Sequence, residues 1–332
     1  MTGGRDARHP AAGCRLWLAA GGLLLLALTS LFIGVADVTP SALLDPSTRA
    51  NALQALIDSR LPRTAALLLT GSSLAVAGMI MQMLARNRFV EPSTAGTIEA
   101  ASFGMLMMLI FFPAAPVVLK MTGAAASALV GTAFFVYLIR KIPPHSPLLV
   151  PLAGIMLGAI IGSVTAFIAY RVNLLQSLGA WRNGDFSLVI SGRYEMLWLT
   201  LALTVAAYLF ADRFTIAALG ADVSRNLGLD YEKALAVGLT IVAAVSAIVV
   251  TTVGSIPFLG LVVPNLVSIA IGDNQRRALP WVALTGAFLV LFCDMAGRLI
   301  VYPYEIPVGT VFGVVGGLVF LYLLLRRPAR AS

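Results

Sequence analysis

The chain has 332 residues, 59% of them hydrophobic and only 11% charged, and its mean hydropathy is +0.92. Soluble folds of this length carry far more charge, so the composition excludes them and specifies an all-α polytopic membrane protein. The formal net charge of +8 fits basic loops between spans and does not call for a nucleic-acid partner.

Residues 1–15 form a basic tail with Arg5, Arg8 and Arg15. Ala11-Ala12-Gly13-Cys14 looks like a lipoprotein cleavage box, but no apolar stretch precedes it, so the tail is expected to stay inside without a lipid. Ten apolar runs follow, at roughly 16–36, 64–84, 95–112, 117–139, 147–170, 194–211, 232–253, 256–272, 278–300 and 306–325. They make one transmembrane domain over 16–325, with 326–332 as a second tail. The third, sixth and eighth runs are short and predict tilted or broken helices. With the N-terminus inside, most of the 23 Lys and Arg residues fall in short inner segments. The topology is therefore ten transmembrane helices in the inner (plasma) membrane, with both termini cytoplasmic. Cys14 and Cys293 cannot meet across the bilayer, so no disulfide framework is expected.

Two outer connections are long: 37–63, with three prolines, and 171–193, where Trp181 precedes an Asn183-Gly184-Asp185 turn. Gly154, Gly158 and Gly162 recur every four residues, as do Gly309, Gly313 and Gly317. Such stripes let helix backbones approach closely and predict that these two spans are central packing elements. The longest polar interruption is Asp212 to Lys233 on the inner face. Gly220 and Gly228 each follow an apolar turn, which predicts two short helices ended by glycines in the left-handed conformation. A folded two-helix knob on that face is something another protein can grip.

Absences exclude most chemistry. A phosphate-binding loop needs glycine directly before its lysine, and the three lysines follow Leu119, Arg140 and Glu232. His9 and His145 lie outside the spans, so no His/Cys cluster of metal-ligand type assembles. An enzyme is not expected, and neither is a bound cofactor. The charges inside spans are Glu99, Asp294 and Arg298, each costly there and hence a functional candidate. Asp294 and Arg298 stand four apart on one helix face and can pair. Glu99 has no local partner and reads either as a packing hydrogen-bonder or as a gate or pathway residue.

Several stretches, in order and over nearly the whole chain after Arg15, resemble FecCD-type permeases, the membrane subunits of ABC importers for iron-siderophores, haem and cobalamin. They are Arg60-Leu61-Pro62-Arg63; Gly71 with Leu74-Ala75-Val76-Ala77-Gly78 and Gln82; Asn87 to Pro92; Leu219-Gly220 and Leu227-Gly228; Gly254-Ser255-Ile256-Pro257-Phe258-Leu259-Gly260 running on to Pro264; and Glu305-Ile306-Pro307-Val308-Gly309. Two departures stand out. Asn87 is followed by Arg88 where the family has proline, and Asn265 follows Pro264 where it has histidine. With Pro92 to Glu99, these resemble the branch that imports ferric catecholate siderophores of the petrobactin type.

The resemblance implies a cobalamin-importer-like fold of ten spans and a pore shared with a second permease, a paralogue in this branch. It implies cytoplasmic ATPases that bind the ATP, docked on a coupling knob comprising Leu219, Gly220, Ala221, Asp222, Arg225, Leu227 and Gly228. It further implies a periplasmic or lipid-anchored binding protein facing Arg60, Arg63 and Arg298. Glu99, Asn265 and Asp294 are the pathway or gate candidates. Cobalamin and haem stay open as cargo. An ion-gradient carrier would show paired ionisable residues at mid-membrane, which are scarce here, and a scaffold would not need the knob.

Overall fold

The computed structural model of the chain describes residues 9–34, 40–139, 141, 149–192, 194–272 and 274–325. Most of the N-terminal tail, His145 and the 326–332 tail lie outside the described residues. The described elements are all helical: α1 (His9–Phe32), α2 (Pro40–Leu44), α3 (Arg49–Ala55), a π-helical turn (Leu56–Arg60), α4 (Leu61–Leu84), α5 (Thr97–Phe111), α6 (Val117–Ile139), α7 (Leu149–Arg171), α8 (Leu175–Arg182), α9 (Leu197–Leu209), α10 (Ala211–Ala218), α11 (Ala221–Asn226), α12 (Tyr231–Thr252), α13 (Leu259–Ile271), α14 (Gln275–Ile300) and α15 (Val308–Leu325).

Among the described residues, six helices are long and apolar enough to cross a membrane. A seventh span forms if α9 and α10, bent by 61° at their junction, count together. α5, α13 and α15 are apolar but shorter. The third, sixth and eighth apolar runs thus give short helices, α5, α9 and α13, as their lengths predicted. Polar residues start two of the helices. Asp230 caps α12 by accepting from the Lys233 N–H at 3.1 Å, and Asn274 caps α14 by accepting from the Arg277 N–H at 3.1 Å.

The centre of the bundle is α4. In the Arg49–Leu84 segment, 83% of the most apolar stretch is buried, against 33% for α7. It touches α1, α9, α10, α12, α13 and α14. Two glycines permit this. A Cβ on Gly71 would lie 2.6 Å from the carbonyl oxygen of Gly286 in α14, and one on Gly78 would run into the backbone of Gly260 in α13. The two glycine stripes read from the sequence do bring backbones together. Gly154 and Gly158 face the Thr94–Glu99 segment, and Gly309 meets Asn183 and Ser255. They do not, however, make α7 and α15 central. A stripe serves one face only, and the other face of each helix is exposed and apolar, with Ile155, Ile160 and Phe167 on α7 and Val314, Leu318 and Leu321 on α15.

Candidate functional site

The interruption over 212–233 folds as two short helices at one end of the bundle. Gly220 (φ +108°, ψ 167°) breaks α10 from α11, and Gly228 (φ +77°) follows α11. Only glycine adopts the first conformation freely, whereas an asparagine could take the second. Ser224 is buried and ties the pair by donating to the carbonyls of Gly220 (2.7 Å) and Ile216 (3.0 Å). Phe214 and Ala217 anchor α10 against the bundle, where α10 contacts α4, α12 and α14. Outward face Leu219, Val223 and Leu227, at 54%, 44% and 61% exposure, with Asp222 and Arg225 exposed beside them and Ala221 half-buried. This is an apolar patch with a charged rim, the composition of a contact surface. At its far edge the Lys233 side chain, with its backbone N–H, holds the Asp230 carboxyl below its ordinary range.

At the opposite end of the bundle lies a buried ion cluster. Arg63 of α4 donates from Nε (3.1 Å) and Nη2 (2.7 Å) to Asp294 Oδ1, and from Nη1 to Glu305 Oε2 (2.7 Å). Arg298 pairs with Asp294 Oδ2 at 2.5 Å, the i,i+4 contact read from the sequence. Its Nη1 also donates to the carbonyls of Ser30 (3.2 Å) and Ile33 (2.6 Å), and its Nη2 to the Ser30 hydroxyl (2.6 Å). Arg60 donates to the Ile33 carbonyl at 2.5 Å. The last carbonyls of a helix have no intrahelical donors and carry the negative end of its dipole, so two guanidiniums there terminate α1.

This arrangement bears on two expectations. Arg60, Arg63 and Arg298 were expected to face a docking partner; their exposures are 7%, 9% and 3%, and each donates within the chain, with Arg298 Nε left without a partner. Asp294 was a pathway candidate, but its side chain is fully enclosed between two guanidiniums. Charges buried at this depth persist only when paired, and the pairing removes them from any surface.

Asn265 sits in a polar hollow of about 330 Å³ near the knob, lined by Gln82, Arg86, Asn87, Arg88, Ser268 and Gln275 among others. Its Nδ2 donates to the carbonyls of Arg88 (2.9 Å) and Leu261 (2.7 Å), so it tethers the 85–96 connection to α13. Arg86, itself at φ +51°, reaches Gly220, where an added Cβ would lie 3.1 Å from its Nη1. The hollow therefore touches the knob hinge directly.

Sequence reading singled out neither Glu91 nor Arg182. Glu91 is 1% exposed and accepts from the Phe258 N–H at 2.8 Å and from the Ser93 hydroxyl, capping the start of α13 from a different segment. Glu99 lies in the first turn of α5 against Gly158, and its Oε2 has no hydrogen-bond partner. Arg182 ends α8 and is exposed. Among the described residues no three His, Cys, Asp or Glu side chains converge as a metal site.

Residues 22–326 match the FecCD transport family. The chain belongs to that family. Two curated relatives match it over almost its full length. It is 45% identical over 309 residues to the petrobactin import system permease protein YclN of Bacillus subtilis, covering 93% of this chain and 97% of that one. It is 42% identical over 301 residues to the ferric-anguibactin transport system permease protein FatD of Vibrio anguillarum, covering 91% and 95%. A solved structure described as an inward-facing metal-chelate type ABC transporter superposes with a TM-score of 0.76 at 23% identity, covering 95% of this chain and all of that one, and so shares the fold. Arg88 and Asn265, singled out from the sequence, touch each other: the Asn265 amide donates to the Arg88 carbonyl.

Proposed function

We propose that this chain is the permease subunit of an ABC importer that carries a ferric siderophore, of catecholate or mixed catecholate-carboxylate type, into the cytoplasm. The observation that carries the reading is the 45% identity, over 93% of the chain, to a petrobactin import permease. On this reading the six long helices, the bent α9–α10 pair and the three shorter apolar helices are ten crossings, with both termini and the knob in the cytoplasm and the ion cluster on the outside. ATP is bound by separate ATPase subunits that grip the patch of Leu219, Val223 and Leu227, with Gly220 and Gly228 setting the angle of the grip. A second, paralogous permease completes the pore, and an external binding protein delivers the chelate. The chain supplies no His/Cys set to strip the iron, so the metal crosses inside its organic shell.

Uptake of radiolabelled iron, presented as several chelates to cells with and without this gene, is the test. Loss of catecholate-type uptake in the deletion, restored by the gene, supports the reading. A deletion that leaves every iron chelate unaffected while abolishing cobalamin or haem use overturns it.

A further inference from the structure

We infer that Arg182 and Glu99 form a transient site for the anionic coordination sphere of the cargo, with Arg182 as the cation and Glu99 as the competitor that keeps it from trapping. This rests on the siderophore reading above.

The first observation is where the guanidinium lies. A Cβ on Gly162 of α7 would stand 3.3 Å from Arg182 Nη2 and 3.7 Å from Glu99 Cγ, so both side chains cross the same small-residue face. Gly162 is nine residues from Arg171 and thirteen from Leu149, the two ends of α7. At about 1.5 Å per residue that is roughly 14 and 20 Å from the helix ends, well inside a hydrocarbon layer of about 30 Å. A charge at such depth is costly and reads as functional by default.

The second is how rigidly it is held. The carbonyl of Trp181 accepts from the Ser255 N–H (3.1 Å), the carbonyl of Arg182 from the Ser255 hydroxyl (3.0 Å), and the carbonyl of Gly184 from the Gly309 N–H (3.1 Å). A Cβ on Gly184 (φ +56°) would be 2.5 Å from the Ser255 carbonyl oxygen. The end of α8 is thus bolted to the turn after α12 and to the first turn of α15. A side chain on such a mount is aimed.

The third is what the two groups lack. Arg182 is exposed, and its guanidinium has no hydrogen bond or ion pair among the described residues. Glu99 Oε2 is buried without a partner, and the two feel each other electrostatically without forming a direct pair. The buried arginines at the end of the bundle, Arg60, Arg63 and Arg298, are all engaged in the ion cluster. Among the described residues, Arg182 is therefore a cation placed at depth with donors to offer.

The cargo chemistry matches. Catecholate and α-hydroxycarboxylate oxygens bind iron in deprotonated form, which leaves net negative charge around the metal. A planar fork of donors suits such oxygens. Strong binding would stall transport, since passage requires a site weak enough to leave, and the Glu99 carboxylate supplies the opposing charge.

The test is uptake of radiolabelled ferric petrobactin by the complete importer in deletion cells, carrying wild type, Arg182→Gln, Arg182→Lys or Glu99→Gln, scored on complexes that co-purify with the ATPase. Arg182→Gln should lower kcat/KM roughly 30-fold, the low end of the cost of deleting one partner of a close charge pair. Arg182→Lys should retain most of the rate. Glu99→Gln should lower KM and maximal rate together, because cargo is held longer. As a control on folding, Arg182→Cys modified after assembly should regain uptake with a cationic thiosulfonate and not with an anionic one. Wild-type kinetics in Arg182→Gln, or equal loss in the lysine variant and no rescue by the cationic reagent, overturns the site alone. A wild-type importer that carries no ferric chelate overturns the function it rests on as well.

Discussion

Gln82 of α4 donates from Nε2 to the carbonyl of Gly260 in α13 at 3.2 Å. That carbonyl is four residues before Pro264, which lies inside the helix and has no N–H to give it. A side chain from one helix thus replaces the donor that a proline removes from another, at the level where Gly78 and Gly260 bring the two backbones together. Gln82→Leu should strand a buried carbonyl and cost about 1–3 kcal/mol. The same change should cost clearly less in a Pro264→Ala background, where the helical donor is restored. Thermal midpoints of the four purified forms in nanodiscs measure this, and equal losses in both backgrounds would refute the substitution of one donor for the other.

The ion cluster should behave as a structural lock. Asp294→Ala leaves Arg63 and Arg298 buried with Glu305 as the remaining carboxylate, and removing one partner of a buried pair costs about 3–5 kcal/mol. The expected outcome is loss of the chain from membranes. Replacing Arg63, Asp294 and Arg298 together with apolar residues of similar volume should restore part of the accumulation. Quantitative immunoblotting of membrane fractions decides it: normal levels of Asp294→Ala with a selective loss of binding-protein capture would return these residues to a docking role.

The knob separates two effects. Gly228→Ala meets no neighbour within 4 Å, so only its positive φ opposes the change, at about 1 kcal/mol, and Gly228→Asn should be nearly neutral. Gly220→Ala should be worse, because φ +108° with ψ 167° is open only to glycine and Arg86 crowds the position. Leu227→Asp, on the exposed patch, should weaken ATPase co-purification while leaving the melting of the isolated permease unchanged. Intact co-purification in Leu227→Asp would remove the patch from the coupling surface.

Local signals made part of this legible. Gly220 and Gly228 announce helix ends within a few residues, and Asp294 and Arg298 share a helix face by spacing alone. Arg63 and Asp294, 231 residues apart, could not be paired from periodicity, because only the crossing of α4 and α14 brings them together. For the same reason the arginines looked like surface residues: their position at the end of a span is readable, and the carboxylates that hold Arg63 and the carbonyls at the end of α1 that hold Arg60 and Arg298 are not. Arg182 stayed hidden because it follows a tryptophan in an outer connection, where a basic residue ordinarily meets water. Its depth comes from the bond of its own carbonyl to Ser255, 73 residues on, and from that of the nearby Gly184 carbonyl to Gly309.

Glu91 gives the last test. Its carboxylate meets the start of α13, where Phe258 is held at φ +65° and donates its N–H at 2.8 Å. The first N–H groups of a helix lack intrahelical partners and carry the positive end of the dipole, so an acidic oxygen there serves both needs. Because it comes from the 85–96 connection, the cap also welds that connection to α13, alongside the Asn265 tether. Glu91→Gln keeps a carbonyl acceptor and loses the charge, and should cost about 0.3–1 kcal/mol. Glu91→Ala removes the acceptor as well and leaves a buried N–H and the Ser93 hydroxyl without it, and should cost about 1–3 kcal/mol more. Thermal midpoints in nanodiscs rank the two, and hydrogen exchange of the first turn of α13 locates the effect. If alanine and glutamine are equally mild and exchange at Phe258 to Leu261 does not rise, the carboxylate is not the cap.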